Sequence, residues 1–98
     1  MIPRHIKTAI DGYVDHGRSI GGFVFAVLCN DLFEAVARAD EYSRLCLDDI
    51  CKYIFNFTSP SCWGSKKKVV DWLKLHKEDP VMAEKAASVS RQARKDYE

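Results

Sequence analysis

Four cysteines, three histidines and two acidic pairs are the side chains of this 98-residue chain with chemistry to offer. Cys46-x4-Cys51-x10-Cys62, with His76 far downstream, lacks the close Cys-x-x-Cys or Cys/His spacing of a zinc site, so no metal ligand is assigned. Leu28-Cys29, Leu45-Cys46-Leu47 and Ile50-Cys51 place three of the thiols among apolar neighbours, where cysteine packs as a small core residue. His5, His16 and His76 are isolated from any Ser or Cys in a nucleophile-and-base arrangement. Asp40-Glu41 and Asp48-Asp49 are adjacent in sequence, and adjacent residues on a helix point in different directions, so neither is an acid-base couple. Gly21-Gly22 lacks the lysine and the spacing of a phosphate-cradling loop. No catalytic residue and no cofactor follows from these patterns. Asn30, Asp31 and Asp40 are the polar residues that need a partner, because they adjoin apolar runs; helix capping satisfies them, and a ligand-facing role is the alternative.

The elements that must hold these residues all read as helices. Pro3 suits a helix start, Ile6, Ile10, Tyr13 and Val14 repeat on one face, and Gly17 closes the segment as a left-handed cap. Arg18 to Gly22 connects to an apolar helix from Phe23, which must be buried at the centre of the fold. Asn30 or Asp31 can cap a new helix, with Asp31 and Glu34 placed as in a capping box, and its inward face is Leu32, Ala35, Val36 and Ala39. Asp40 caps a longer helix running to about Phe57, with Leu47, Ile50, Cys51 and Ile54 on one side and Tyr42, Tyr53 and Phe57 at the border. Thr58-Ser59-Pro60-Ser61 stops it, since a residue before proline leaves helical space. After the loop Cys62-Trp63-Gly64-Ser65, Ser65 caps a helix from Lys66 to His76 with Val69, Trp72 and Leu73 inward. Asp79-Pro80 opens a last helix to about Lys95, whose thin stripe of Met82, Ala86, Val89 and Ala93 offers little area to bury.

The expected fold is therefore all-α: a compact bundle of five to six short helices, with residues 1–76 as the core domain and 77–98 as a helical extension, docked or projecting. The N-terminus has no apolar leader and no run is long enough to span a membrane, which predicts a cytoplasmic protein with reduced thiols. Charge is uneven: residues 1–62 carry 6 Lys/Arg against 8 Asp/Glu, and residues 63–98 carry 9 against 6.

Gly21-Gly22-Phe23, Asn30-Asp31-Leu32, Ala39-Asp40 and Cys62-Trp63-Gly64-Ser65, followed by Val69 and Trp72-Leu73, resemble in that order a group of short proteins encoded by bacteriophages, prophages and other mobile elements. The resemblance covers about residues 2–75 and leaves out the tail from His76. It implies a mobile-element origin, without an assigned reaction or cofactor. Two functions follow. The first is a non-enzymatic protein-binding module acting in the bacterial host's cytoplasm, such as an anti-CRISPR-like inhibitor of a defence complex, anchored by Trp63, Arg91, Arg94 and Tyr97. The alternative is a small DNA-associated regulator with Lys66, Lys67, Lys68, Arg91, Arg94 and Lys95 on phosphate. The alanine-rich stripe of the last helix is packed locally or forms a homodimer.

Overall fold

The computed structural model describes residues 2–95. Seven α-helices and one 3-10 turn make up the described residues: α1 (Arg4–His16), α2 (Gly22–Leu28), α3 (Leu32–Arg38), α4 (Glu41–Leu45), α5 (Leu47–Phe57), the 3-10 turn Pro60–Cys62, α6 (Lys66–Glu78) and α7 (Pro80–Arg94). The protein is all-α, with a radius of gyration of 12.6 Å. The helix count exceeds the expected five to six because the segment from Asp40 to Phe57 breaks at Cys46, whose backbone (φ −100°, ψ 5°) leaves helical geometry between α4 and α5.

α1 buries Ile6, Ile10, Tyr13 and Val14, the face its spacing dictates. Tyr13 is the hub. Its hydroxyl donates to the Cys62 carbonyl at 2.7 Å, and its carbonyl accepts from Trp72 Nε1 at 3.1 Å and from the Gly17 N–H at 2.9 Å. One residue thus ties α1 to the 3-10 turn and to α6. Burial pushes the Tyr13 phenol far above its ordinary range, with smaller contributions from Cys62 and Cys29, so it stays a neutral donor. Burial likewise pushes the Cys62 thiol up to about 11. Gly17 turns the chain at φ 65°, and a Cβ there would lie 2.4 Å from the His76 Cβ, so both conformation and contact require glycine.

The last helix is docked against α1, α5 and α6. Its buried face is Ala83, Ala87 and Ser90, not the expected stripe: Met82 and Val89 are exposed, and Ala86 and Ala93 are half-buried. Alanines permit close approach, and polar ties supplement their small area. Ser90 Oγ accepts from the Ser59 N–H at 2.7 Å, and Arg94 bridges Asp11 (3.2 Å) and Asp15 on α1. The Arg94 side chain is only 10% exposed. Burial lowers its affinity for the proton, but the Asp15 hydrogen bond and the charges of Asp15 and Asp11 more than offset this and raise it. Tyr53 joins the cluster by donating to Asp11 at 2.5 Å.

The inward faces of α3 and α5 also differ from expectation. In α3 only Ala35 is buried, with Ala39 just beyond it, while Leu32 and Val36 are exposed. In α5 the buried set is Ile50, Tyr53 and Ile54; Cys51 is exposed and Leu47 half-buried, because Tyr53 turns inward to reach Asp11. In α6 Val69 and Trp72 are buried and Leu73 is half-buried.

Replacing Tyr13 by Phe leaves the buried Cys62 carbonyl without its donor, and equilibrium urea unfolding is expected to show a loss of about 1–3 kcal/mol with an unchanged slope. His76 provides a second test. Its Nε2 is buried without a hydrogen-bond partner, and its ring stands edge-on to Trp72 at 5.1 Å. Burial, and then the nearby His16, lower its pKa from the ordinary 6.5, against weaker opposing effects from Val14, Glu84 and Asp15. The unfolded chain therefore takes up the proton more readily, and stability falls as pH drops below 6.5 and through the lower folded value. Melting temperatures measured between about pH 7 and about pH 5 should fall, and His76→Gln should shrink that fall.

Candidate functional site

The site is a surface rather than an enclosed cleft, and it forms where α2 ends. Cys29 is the last near-helical residue, and Asn30 follows in the left-handed conformation at φ 60°. The Asn30 N–H donates to the Val27 carbonyl at 3.0 Å and the Asp31 N–H to the Ala26 carbonyl at 2.9 Å, the paired bonds of a Schellman motif. Asparagine is the residue other than glycine that best tolerates this position. Asp31 then accepts from the Glu34 N–H at 3.4 Å and caps α3. The Glu34 side chain does not complete a capping box; it pairs with Arg38 at 2.7 Å.

Three hollows meet at this corner, and Asn30 lines all of them. The largest, about 750 Å³, lies along α2 and α3 between Phe25, Cys29 and Phe33, with Arg38 and Lys66 on its walls. A second, about 330 Å³, is walled by Val27, Ile54, Phe55 and Trp63, with Cys51 and Lys52 beside them. A small hollow of about 50 Å³, lined by Leu32, Ala35, Leu47 and Cys51, shares Asp31 and Leu32 with the first and Val27 and Cys51 with the second. Trp63 is brought there by Gly64, whose N–H donates to the Leu28 carbonyl at 2.8 Å from a backbone at φ 119°, a conformation glycine tolerates best. The Trp63 ring packs against Phe55 at 5.9 Å, and its Nε1 is buried without a partner. Phe55 is 70% exposed and Phe33 is 87% exposed.

This corner corrects the reading of α2 as wholly buried. Val24, Ala26 and Leu28 face the core, whereas Phe25 and Val27 are half-buried and line the hollows. Burial raises the pKa of Cys29 against the pull of Lys66; Cys51 is exposed as a residue, but partial desolvation of its thiol and then the Asp48 charge raise its pKa. Both thiols are therefore held protonated and weakly nucleophilic. The arrangement offers apolar contact with a few hydrogen-bonding groups.

The other residues singled out from sequence are dispersed. Asp40 caps α4, accepting from the Ser43 N–H at 2.7 Å, and that bond lowers its pKa. Lys66 borders the large hollow, Lys67 pairs with Asp71 at 2.8 Å, and Lys68 donates to the Pro60 carbonyl at 3.3 Å. The triplet does not present one undivided cationic patch. Arg91 pairs with Glu84, and Arg94 is occupied by Asp11 and Asp15 and so is not a free anchor. Lys95 is exposed beyond the end of α7, and Tyr97 lies outside the described residues. Among the described residues no group of three His, Cys, Asp or Glu side chains is placed to hold a metal ion, and no helix is long and apolar enough to cross a membrane.

Sequence reasoning missed Phe33 and Phe55. The exposure of Phe55 was legible from helical phase, since it stands off the Ile50, Tyr53 and Ile54 face. That of Phe33 was not, because α3 carries apolar residues at nearly every phase. No protein-family model matches the chain, and no curated protein or solved structure matches it significantly.

Asn30 separates conformation from chemistry. Asn30→Gly keeps the turn and should leave urea-unfolding stability unchanged to within a few tenths of a kcal/mol, whereas Asn30→Ala should cost about 1 kcal/mol through left-handed strain.

Proposed function

We propose that this chain is a non-enzymatic protein-binding module that docks a partner on the surface around Asn30. The observation that supports it most is the gathering of three largely apolar hollows around Asn30, with the exposed phenylalanines Phe33 and Phe55 on the walls of two of them. Isolated exposed apolar residues need no explanation, but a contiguous patch with aromatic members is what a protein interface uses. Phe55, exposed and tilted against the Trp63 ring at 5.9 Å, is a ready anchor. The sequence layout resembling short phage and mobile-element proteins directs the choice of partner to a host complex, with a defence complex as the first candidate. The ion-paired state of Lys67, Arg91 and Arg94 weighs against a DNA-associated role.

Affinity capture from nuclease-treated bacterial host lysate tests this. Wild type should retain a stoichiometric host protein across a range of salt, and Phe55→Glu should weaken its capture by roughly thirtyfold, the loss of about 2 kcal/mol expected of an interface anchor. Recovery of nucleic acid alone from a parallel lysate left untreated with nuclease, falling steeply with salt, would instead support the DNA-associated reading.

A further inference from the structure

α3 is built inside out. Its small residues, Ala35 and the adjoining Ala39, are buried, while Leu32 (61% exposed), Phe33 and Val36 are turned to solvent. At 100° per residue the exposed face centres between Phe33 and Ala37, with Leu32 and Val36 along one edge and Glu34 and Arg38 along the other. A helix that only had to cover its own core would carry the opposite arrangement. Among the described residues nothing covers this outer face.

The charges state what fits it. The first turn of α3 is acidic, with Asp31 as cap and Glu34 following, and the last turn carries Arg38. When two such helices meet face to face in antiparallel directions, the two-fold axis brings like edges together. The edge of Glu34 and Arg38 then meets its own copy reversed, with Glu34 opposite Arg38 at both ends, and the helix dipoles oppose. A parallel pairing would set this charged edge against Leu32 and Val36. The intrachain Glu34–Arg38 pair is half-exposed and holds its partners weakly, so it can re-form across the two-fold.

We propose that the outer face of α3 binds a second copy of this chain in an antiparallel, two-fold symmetric dimer. The proposal rests on the reading of this surface as a docking face, and assigns the α3 part of it to the chain itself. The hollow beside Phe55 and Trp63 remains the site for a different protein. A seven-residue helix spans only about 10 Å, so the dimer is expected to be small and concentration-dependent.

Sedimentation velocity on the full chain, over about 5 to 500 µM, is the test. Wild type should pass from monomer to dimer in this range, and F33E, which alters an exposed residue and should keep the helical circular dichroism spectrum, should weaken association by at least about tenfold. E34R and R38E should each weaken it as well, because each opposes like charges at both ends. An equimolar mixture of these two should associate about tenfold more tightly than either alone, which an intrachain role for the pair would not produce. A wild-type monomer throughout the range overturns the proposal. So does a dimer that F33E leaves intact, or a mixture no tighter than its components. The monomer result combined with loss of lysate capture in Phe55→Glu would remove the dimer and leave the docking reading standing.

Discussion

A buried tyrosine whose hydroxyl and carbonyl are both engaged holds the arrangement together. Tyr13 is fully buried, and a phenol in that position is tolerable only while the Cys62 carbonyl accepts its proton. Its own carbonyl, already taken by the Gly17 cap, also accepts from Trp72. The end of α1, the 3-10 turn and α6 are therefore fixed relative to one another by groups that cannot separate without leaving polar atoms unpaired. Gly17 and His76 follow from the same contact, since α6 can approach α1 this closely only across a residue without a side chain.

From that junction the position of the proposed docking surface is determined. The 3-10 turn delivers Trp63 and Gly64, and Gly64 hydrogen-bonds to the last turn of α2. Trp63 thereby comes to lie beside Phe55 and Val27, and the left-handed turn at Asn30 directs α3 away to form the other wall. The proposed docking surface thus lies at the join of elements from three parts of the chain, none of which carries it alone.

Alanine sets the difference between the two helices that turn larger residues outward. α7 buries Ala83 and Ala87 but is also tied by Ser90 and by Arg94, which sits between two carboxylates of α1. α3 buries little more than alanine and packs chiefly on α2, without a comparable buried ion pair or long-range polar tie among the described residues. The exposed apolar residues of α3 adjoin the hollows, and this is why the proposed docking surface and the proposed self-association are placed there rather than on α7.

The sequence by itself determined the helical class, the caps at Asp31, Asp40, Ser65 and Asp79, the turn at Gly17 and the buried face of α1. These depend on interactions within about four residues, and local stereochemistry suffices to read them. Only the tertiary structure decided which side of α3 and α7 is buried, where α4 gives way to α5, and what Arg94 does. Helices with both alanine and larger apolar residues have two faces that could be buried, and the shape of the opposing surface selects between them. The carboxylates that fix Arg94 lie 83 and 79 residues away, so its change from an apparent surface anchor to a structural tie was invisible to any local pattern.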